Sequence, residues 1–213
     1  VISSWLRTGK PVLLCGPPGS GKTMSLTAVL RASANEYEAI FLNFSSATAP
    51  DTILKTLEQY GTIKNTQHGL VLTPLAANKK LIVFCDEINL PTPDKYGTQR
   101  VVQFMRQLTE RRGYYRSKDN AWISLENVQF VGACNPPTDP GRVPLTHRFL
   151  RWAPVLFVDF PAFESLQLIY ETYCRAMFHK NIKLRAMSPN MAKAMVAFYK
   201  SSQEHFTADM QRH

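Results

Sequence analysis

The sequence contains few cysteines and no long run of apolar residues. The four cysteines are Cys15, Cys85, Cys134 and Cys174. None of them forms a C-x-x-C pair, the spacing that zinc sites commonly use, so we expect no zinc site. We expect reduced, buried cysteines that pack as small hydrophobic side chains. Because no apolar run approaches the ~18 residues that span a bilayer, we also expect no membrane partner.

The first residues, VISSWLRTGKP, lack an initiator methionine and the apolar core of a signal peptide. We therefore interpret the sequence as a piece of a longer chain that resides in the cytosol or nucleus. A length of 213 residues fits one α/β domain, or a large domain followed by a small one. A hydrophobic content of 45% is ordinary for a globular protein.

Basic residues outnumber acidic ones, and the formal net charge is +9. The cations concentrate in the segment RQLTERRGYYRSK, residues 106–118, where two tyrosines lie between arginines. Basic residues interleaved with aromatic ones are typical of some nucleic-acid-binding surfaces. No nucleic-acid-binding motif accompanies them, so we favour a solvated helix end followed by a hairpin. We expect no nucleic-acid partner.

Short apolar segments alternate with segments of helical periodicity. The predicted strands are residues 11–15, 39–44, 81–85, 128–134 and 155–160. Near-continuous apolar runs of this length suit strands that are covered on both faces, as in a parallel sheet. The predicted helices are residues 22–33, 50–60, 98–112, 164–179 and 189–206. The alternation predicts a doubly wound α/β fold.

Two segments interrupt the alternation, and the character of the chain changes after Pro161. Residues 62–74 predict a loop or a small hairpin, and residues 113–125 predict a hairpin around SKDN. From residue 161 onwards the periodicity is helical. We therefore predict a large α/β subdomain over residues 1–160 and the truncated beginning of a small α-helical subdomain over residues 161–213.

The segment GPPGSGKT fits the pattern G-x-x-x-x-G-K-[ST] between a predicted strand and a predicted helix. Its glycines let backbone N–H groups converge on phosphate oxygens, and the helix start adds its positive end. Lys22 is expected at the β- and γ-phosphates of ATP or ADP, and Thr23 is expected as a ligand of Mg²⁺. The predicted nucleotide-binding residues are Gly16, Pro17, Pro18, Gly19, Ser20, Gly21, Lys22, Thr23, Met24 and Asp86.

Two adjacent acids, Asp86 and Glu87, follow the apolar strand LIVFC. Carboxylates at the end of a buried strand cost stability unless they hold a cation or take part in chemistry. In phosphate-loop folds we expect an Asp at the end of the strand beside the loop strand, which predicts Asp86 as the second Mg²⁺ ligand. Glu87 is the candidate general base for an attacking water. A helix-capping or surface role is the alternative for Glu87.

Asn135 and Arg148 are the remaining candidates for the site. Asn135 follows the strand VQFVGAC, where its amide is expected to orient a water or contact the γ-phosphate; an ordinary turn residue is the alternative. Arg148 and Arg151, in PLTHRFLRW, are candidate arginine fingers for this nucleotide or for a neighbour's, or form surface salt bridges. His147 is expected to be structural.

These features together resemble AAA+ ATPases of the P-loop NTPase fold, a parallel sheet flanked by helices and followed by a helical subdomain. The strings GPPGSGKTM, LNFSSAT, FCDEINLP, DKYGTQ and VGACNPPTDPGR, with HRFLR, resemble the cytoplasmic dynein heavy chain family in its third AAA+ module. The resemblance covers most of residues 10–180. Thr23 and Glu87 place the sequence with the cytoplasmic class, because axonemal dyneins tend to have Ser and Asp there.

The resemblance implies a role for each of these residues. Lys22 and Thr23 would be the Walker A lysine and Mg²⁺ ligand, Asp86 and Glu87 the Walker B pair, Asn135 the first sensor, and Arg148 a finger offered to the preceding module. This site's own finger would come from the following module. The second sensor arginine falls beyond His213 or has no assignable position, and the hairpin at 113–125 would be an insert before the first sensor.

The resemblance also implies an activity and partners. The module would bind and slowly hydrolyse ATP with Mg²⁺, and would regulate minus-end-directed microtubule motility by gating communication around the motor ring. Its expected partners are the adjacent AAA+ modules of the same heavy chain, accessory chains and regulators, a second heavy chain, and the microtubule through a stalk outside these residues. The expected location is the cytoplasm, on microtubules. The alternatives are a midasin-like or other AAA+ remodelling ATPase, and a module that holds nucleotide without turnover.

Overall fold

The structure is a computed structural model that describes residues 1–206. The chain divides into two compact units, of which the first is Val1–Asp159 and the second begins at Phe160. Among the described residues, no helix combines the length and the hydropathy that crossing a bilayer requires.

The first unit contains five helices and nine strands within its described residues. In chain order they are α1 Ile2–Thr8, β1 Val12–Cys15, α2 Lys22–Ala32, β2 Tyr37–Asn43, α3 Pro50–Tyr60, β3 Gly61–Thr66, β4 Gly69–Pro74, β5 Lys80–Asp86, α4 Arg100–Glu110, β6 Gly113–Tyr115, β7 Trp122–Leu125, β8 Val128–Cys134, α5 His147–Leu150 and β9 Val155–Phe157. Five of the strands form a parallel sheet in the order β2-β5-β8-β1-β9. All five predicted strands are present, the last of them shorter than expected.

Alternating side chains of the parallel strands point to opposite faces of the sheet, and both faces are covered. On one face, Leu14 and Phe84 pack in a core with the residues that α1 and α2 bury, including Leu26. On the other face, Leu13 and Val83 pack in a second core with the buried residues of α3 and α4. The predicted α/β class, a parallel sheet flanked by helices, is confirmed.

The position of Asp86 in the sheet corrects one expectation. The sequence predicts Asp86 on the strand beside β1, and this is wrong, because β8 pairs with both β1 and β5 and separates them. The pairing of Cys15 with Cys134 and of Cys85 with Gly132 brings the carboxyl ends of the three strands to one edge. Asp86 therefore reaches the loop after β1 across this edge, although its strand is not adjacent.

A second, four-stranded sheet in the order β3-β4-β7-β6 lies on the side of α3 and α4. Residues 62–74, for which the sequence allows a loop or a small hairpin, form the hairpin β3–β4. The antiparallel pair β6–β7 confirms the predicted hairpin at residues 113–125. A parallel pairing of β4 with β7 joins the two hairpins, which the sequence does not predict. Leu72, Tyr114 and Ile123 of this sheet are buried in the core.

The second unit contains the helices α6, Phe163–Met177, and α7, Ile182–His205. The predicted helix at 164–179 is confirmed, but α7 begins before the predicted start at residue 189 and holds Pro189 in its interior. Asn181 accepts a hydrogen bond from the Leu184 N–H and thereby caps the helix at its earlier start. Tyr173 and Met177 of α6 are mostly exposed.

Candidate nucleotide-binding site

The loop between β1 and α2 is packed closely against the neighbouring strands. The Gly16 N–H donates to the Cys134 carbonyl at 3.2 Å, and the Val158 N–H donates to the Cys15 carbonyl at 2.7 Å. A Cβ atom at Gly16 would lie 1.9 Å from the Val158 carbonyl oxygen, so this position has no space for a side chain. Gly21, with φ of 88°, adopts the left-handed conformation from which α2 starts. The first turn of α2 presents N–H groups that have no acceptor within the helix.

Lys22 is a buried cation at the start of α2, with 8% of its surface exposed. Its Nζ atom donates to the Gly16 carbonyl at 2.7 Å, to the Pro17 carbonyl at 3.0 Å and to Asn135 Oδ1 at 3.0 Å. A buried ammonium of this kind requires full hydrogen bonding. The lysine therefore ties the loop after β1 to the residue that follows β8.

Thr23 and Asp86 form the second link between the loop and the sheet edge. The Thr23 hydroxyl donates to Asp86 Oδ2 at 3.2 Å, and Asp86 Oδ1 accepts from the Glu87 N–H at 2.9 Å. A hydroxyl and a carboxylate within reach of each other are the hard oxygen ligands that Mg²⁺ prefers in nucleotide sites. These two residues therefore fit a magnesium ion that takes its other ligands from phosphate and water.

Glu87 has an unusual backbone and a partner that the sequence does not predict. Its φ of 57° lies in the left-handed region, which is uncommon for a residue with a side chain and often marks a functional site. Its Oε2 atom lies 2.7 Å from Nη2 of Arg142, an ion pair whose atoms are not aligned as a hydrogen bond. Sequence analysis missed Arg142, and its place inside the string NPPTDPGR was the available signal.

Asn135 and Asn89 connect the ends of β8 and β5. The side chain of Asn89, 2% exposed, donates from Nδ2 to the Asn135 carbonyl at 2.9 Å. The Asn135 carbonyl is thereby fixed, while its side chain faces Lys22. Asn89 is a second residue that sequence analysis missed, because an Asn after DEI has no distinctive spacing.

A pocket of about 340 Å³ brings most of the predicted residues together. Its lining residues are Pro18, Gly19, Gly21, Lys22, Thr23, Met24, Asp86, Glu87 and Asn135. Gly16, Pro17 and Ser20 belong to the same loop but do not line the pocket. Arg148, in α5, and Arg151, directly after it, are exposed and also lie outside the lining. The pocket thus gathers the candidate phosphate, metal and base residues without an arginine finger.

The cysteines beside the site are reduced. Burial raises the pKa of the Cys134 thiol, and the neighbouring Cys15 adds to that shift. Burial, with the Asp86 carboxylate, also raises the pKa of the Cys85 thiol. Three of the four free cysteines are buried as expected, whereas Cys15 is half-buried. Raised pKa values leave the neutral thiol as the form present near neutral pH, which fits a packing role.

Two family models together match most of the chain. The model described as the P-loop containing dynein motor region matches residues 1–161. The model described as the dynein heavy chain ATPase lid domain matches residues 173–213. Both descriptions refer to dynein, and the first match contains every residue that lines the pocket.

Cytoplasmic dynein heavy chains are similar to this chain over its whole length. The identity is 54% over 213 residues with the Caenorhabditis elegans protein and 54% over 213 residues with the Drosophila melanogaster protein. It is 55% over 214 residues with the Dictyostelium discoideum protein. Each match covers 100% of this chain, but 5% of the first two proteins and 4% of the third. The chain therefore spans a small part of the length of these relatives.

A solved structure of a candidate ATPase from Cytophaga hutchinsonii has a similar fold. Its TM-score is 0.53 at 19% sequence identity, and the match covers 86% of this chain and 52% of that one. At this identity the similarity supports the fold alone.

Proposed function

The chain belongs to the dynein heavy chain family, in its P-loop motor region, and on that premise we propose that it binds MgATP and hydrolyses it at the pocket after β1. The observation that carries the proposal is the convergence of Lys22, Thr23, Asp86, Glu87 and Asn135 on one pocket. A loop with free N–H groups, a cation, two metal ligands and a carboxylate base are the parts that phosphoryl transfer to water requires.

Each residue of the pocket has a part in this proposal. The N–H groups at the start of α2 and the Lys22 ammonium bind the phosphates, and the Thr23 hydroxyl and Asp86 carboxylate hold Mg²⁺. The bound metal ion would neutralise charge on the phosphate oxygens. Glu87 accepts the proton of the attacking water, and the Asn135 amide orients that water. General-base assistance of this kind contributes roughly 10²–10⁴ in rate.

We further propose that the chain is the third AAA+ module of a cytoplasmic dynein heavy chain. In this role it regulates minus-end-directed motility by gating communication around the ring, together with adjacent modules, accessory chains, regulators and a second heavy chain. Microtubule contact lies outside these residues. The similarity to cytoplasmic dynein heavy chains supports a location in the cytoplasm, on microtubules. The match to the lid model supports residues 161–213 as the start of a small helical subdomain, after a nucleotide-binding subdomain over residues 1–160.

The alternatives receive less support. A midasin-like or other remodelling ATPase shares the pocket residues, but the 54% identity over the full chain favours a dynein heavy chain. A module that holds nucleotide without turnover needs no base in the pocket, and Glu87 lines it. We therefore favour a site that is competent for hydrolysis, although slow when it has no arginine from a neighbouring module.

The bound nucleotide is the direct test of this proposal. The 213-residue chain is incubated with ATP and Mg²⁺ and then freed of unbound nucleotide. The nucleotide that stays bound is identified after denaturation. We expect bound ATP that converts slowly to ADP. Failure to retain any nucleotide would contradict the proposed site, and retention of ATP alone over long incubation, also in the full-length heavy chain, would favour the structural role.

A further inference from the structure

Arg142 is a mostly buried cation that the proposed chemistry does not use. Its side chain is 15% exposed, and its Nη2 atom lies 2.7 Å from Oε2 of Glu87. Its buried Nε atom has no hydrogen-bond partner among the described residues. Placing a guanidinium away from water costs free energy unless a paired charge compensates. The pairing with Glu87 is the compensation that the structure provides.

The loop that carries Arg142 is held at both ends by one residue. Asn89 donates from Nδ2 to the Asn135 carbonyl at 2.9 Å, and its own carbonyl accepts from the Val143 N–H at 3.0 Å. Inside the loop, the Arg142 N–H donates to the Asp139 carbonyl at 3.2 Å. Asn89 lies two positions after Glu87 in the chain. Asn89 and Glu87 both follow β5, so the contacts of Asn89 with the loop fix the position of the Arg142 guanidinium relative to Glu87.

The two oxygens of the Glu87 carboxylate have different surroundings. Oε2 is closed off from solvent beside Arg142, whereas the Glu87 side chain as a whole is 30% exposed and lines the pocket. The closest approach between the guanidinium and the carboxylate, 2.7 Å, joins Nη2 to Oε2. Because Oε2 is closed off from solvent, Oε1 is the oxygen that a water in the pocket is able to approach.

We propose that Arg142 is a positioning residue for Glu87: it fixes Oε2 and so orients the carboxylate for proton acceptance at Oε1. The proposal rests on the proposed function, because it assumes that Glu87 is the base. Arg142 does not line the pocket and touches neither phosphate nor water in this role. A glutamate without this partner has several rotamers, and a misplacement of about 1 Å at a reacting group costs on the order of 10²-fold in rate.

The test compares variants of the full 213-residue chain by nucleotide affinity and by hydrolysis. Affinity is measured by displacement of a fluorescent ATP analogue, and hydrolysis in single turnover with protein in excess over ATP. We expect Arg142→Gln to lower the single-turnover rate about 10- to 100-fold while the Kd for MgATP stays within about twofold. Arg142→Lys, which keeps a cation near Oε2, is expected to recover part of the rate. Arg31→Gln, at an exposed arginine of α2, is the matched control and should change neither quantity.

A double-mutant cycle separates positioning from general damage. In a Glu87→Gln background there is no base to orient, so Arg142→Gln is expected to cause no further loss of rate. A full additional loss, or a wild-type rate or a faster rate in Arg142→Gln alone, would overturn the positioning role. If the wild-type chain binds no MgATP, or if neither it nor the full-length heavy chain hydrolyses the bound ATP, the proposed function itself fails. Normal wild-type turnover with an unaffected Arg142→Gln rejects this inference alone.

Discussion

The Nζ atom of Lys22 lies 3.0 Å from Oδ1 of Asn135, and the bond joins the start of α2 to the end of β8. An ammonium group has three hydrogens, and two carbonyls of the loop after β1 take the other two. A phosphate oxygen that binds Lys22 must therefore displace one of these acceptors. If it displaces Asn135, the amide becomes free to hold a water when the phosphate arrives. Phosphate binding and water positioning would then be coupled through one hydrogen bond.

Substitution of Lys22 by alanine should abolish nucleotide binding. The change removes the cation for the phosphates and leaves the Gly16 and Pro17 carbonyls without their donor. Isothermal titration with MgATP and MgADP is the measurement. Lys10→Ala, at an exposed lysine before β1, is the control and should bind normally. Tight binding that survives in Lys22→Ala would argue against the phosphate loop.

Substitution of Glu87 by glutamine should preserve ATP binding and stop hydrolysis. Glutamine has nearly the same shape but accepts no proton at neutral pH, so a loss of roughly 10²–10⁴ in rate is expected. Single-turnover hydrolysis and the bound nucleotide, which should remain ATP, are measured together. In a full-length heavy chain the same change should slow or weaken motility. An unchanged single-turnover rate would refute the assignment of the base.

Substitution of Asp86 by asparagine should weaken the dependence of nucleotide binding on magnesium. The carboxylate lies 3.2 Å from the Thr23 hydroxyl, and an amide oxygen is a poorer ligand for a hard divalent cation. Affinity for ATP is measured with Mg²⁺ and again with EDTA, and the ratio should fall towards one in the variant. Asp51→Asn, at an exposed acid of α3, is the control and should keep the wild-type ratio. A wild-type ratio in Asp86→Asn would exclude Asp86 as a metal ligand.

Substitution of Arg148 by alanine should affect a neighbouring site and spare this one. Arg148 is exposed and lies outside the pocket, as a finger for the preceding module would. In a full-length heavy chain we expect the hydrolysis of the preceding module to fall by roughly 10³- to 10⁵-fold at that site. Single-turnover hydrolysis by the 213-residue chain should not change. Arg151→Ala, tested in parallel, shows which of the two arginines acts; a loss in the 213-residue chain would place Arg148 in cis.

The residues proposed to bind phosphate were predictable because their chemistry is local. The phosphate-loop motif requires glycines, a lysine and a hydroxyl in a fixed order. The apolar strand before Asp86 predicts that the two acids lie at the end of a buried strand. Arg142 was not predictable in this way, because its partner Glu87 lies far away in the sequence and no spacing rule connects them. The contact is created by the loop that Asn89 closes.

The fold shows the same division between local and long-range information. Apolar runs predicted all five strands of the parallel sheet, but not that β8 separates β1 from β5, because strand order depends on pairing between distant segments. The joining of two hairpins through β4 and β7 was missed for the same reason. The start of α7 was misplaced because Pro189 suits a first turn better than a helix interior, and the cap at Asn181 prevails.

Substitution of Gly16 by alanine should destabilise the first unit and disturb the loop between β1 and α2 at its first residue. The new Cβ would lie 1.9 Å from the Val158 carbonyl oxygen and 2.9 Å from its carbon, so the backbone after β9 would have to move. Overpacking against backbone costs typically about 1–3 kcal/mol, and we expect the upper part of that range. The free energy of unfolding in urea and the Kd for MgATP are the two measurements, and both should worsen.

Gly97→Ala is the matched control for this prediction. Gly97 has a φ of 76° and nothing within 4 Å of a Cβ, so an alanine there carries backbone strain without a collision. We expect Gly97→Ala to cost about 1–2 kcal/mol and to leave the Kd for MgATP unchanged. If Gly16→Ala proves no more destabilising than Gly97→Ala, then the close approach of the loop to β9 does not hold in solution. The placement of Lys22, whose ammonium bonds to the Gly16 carbonyl, would then have to be revised with it.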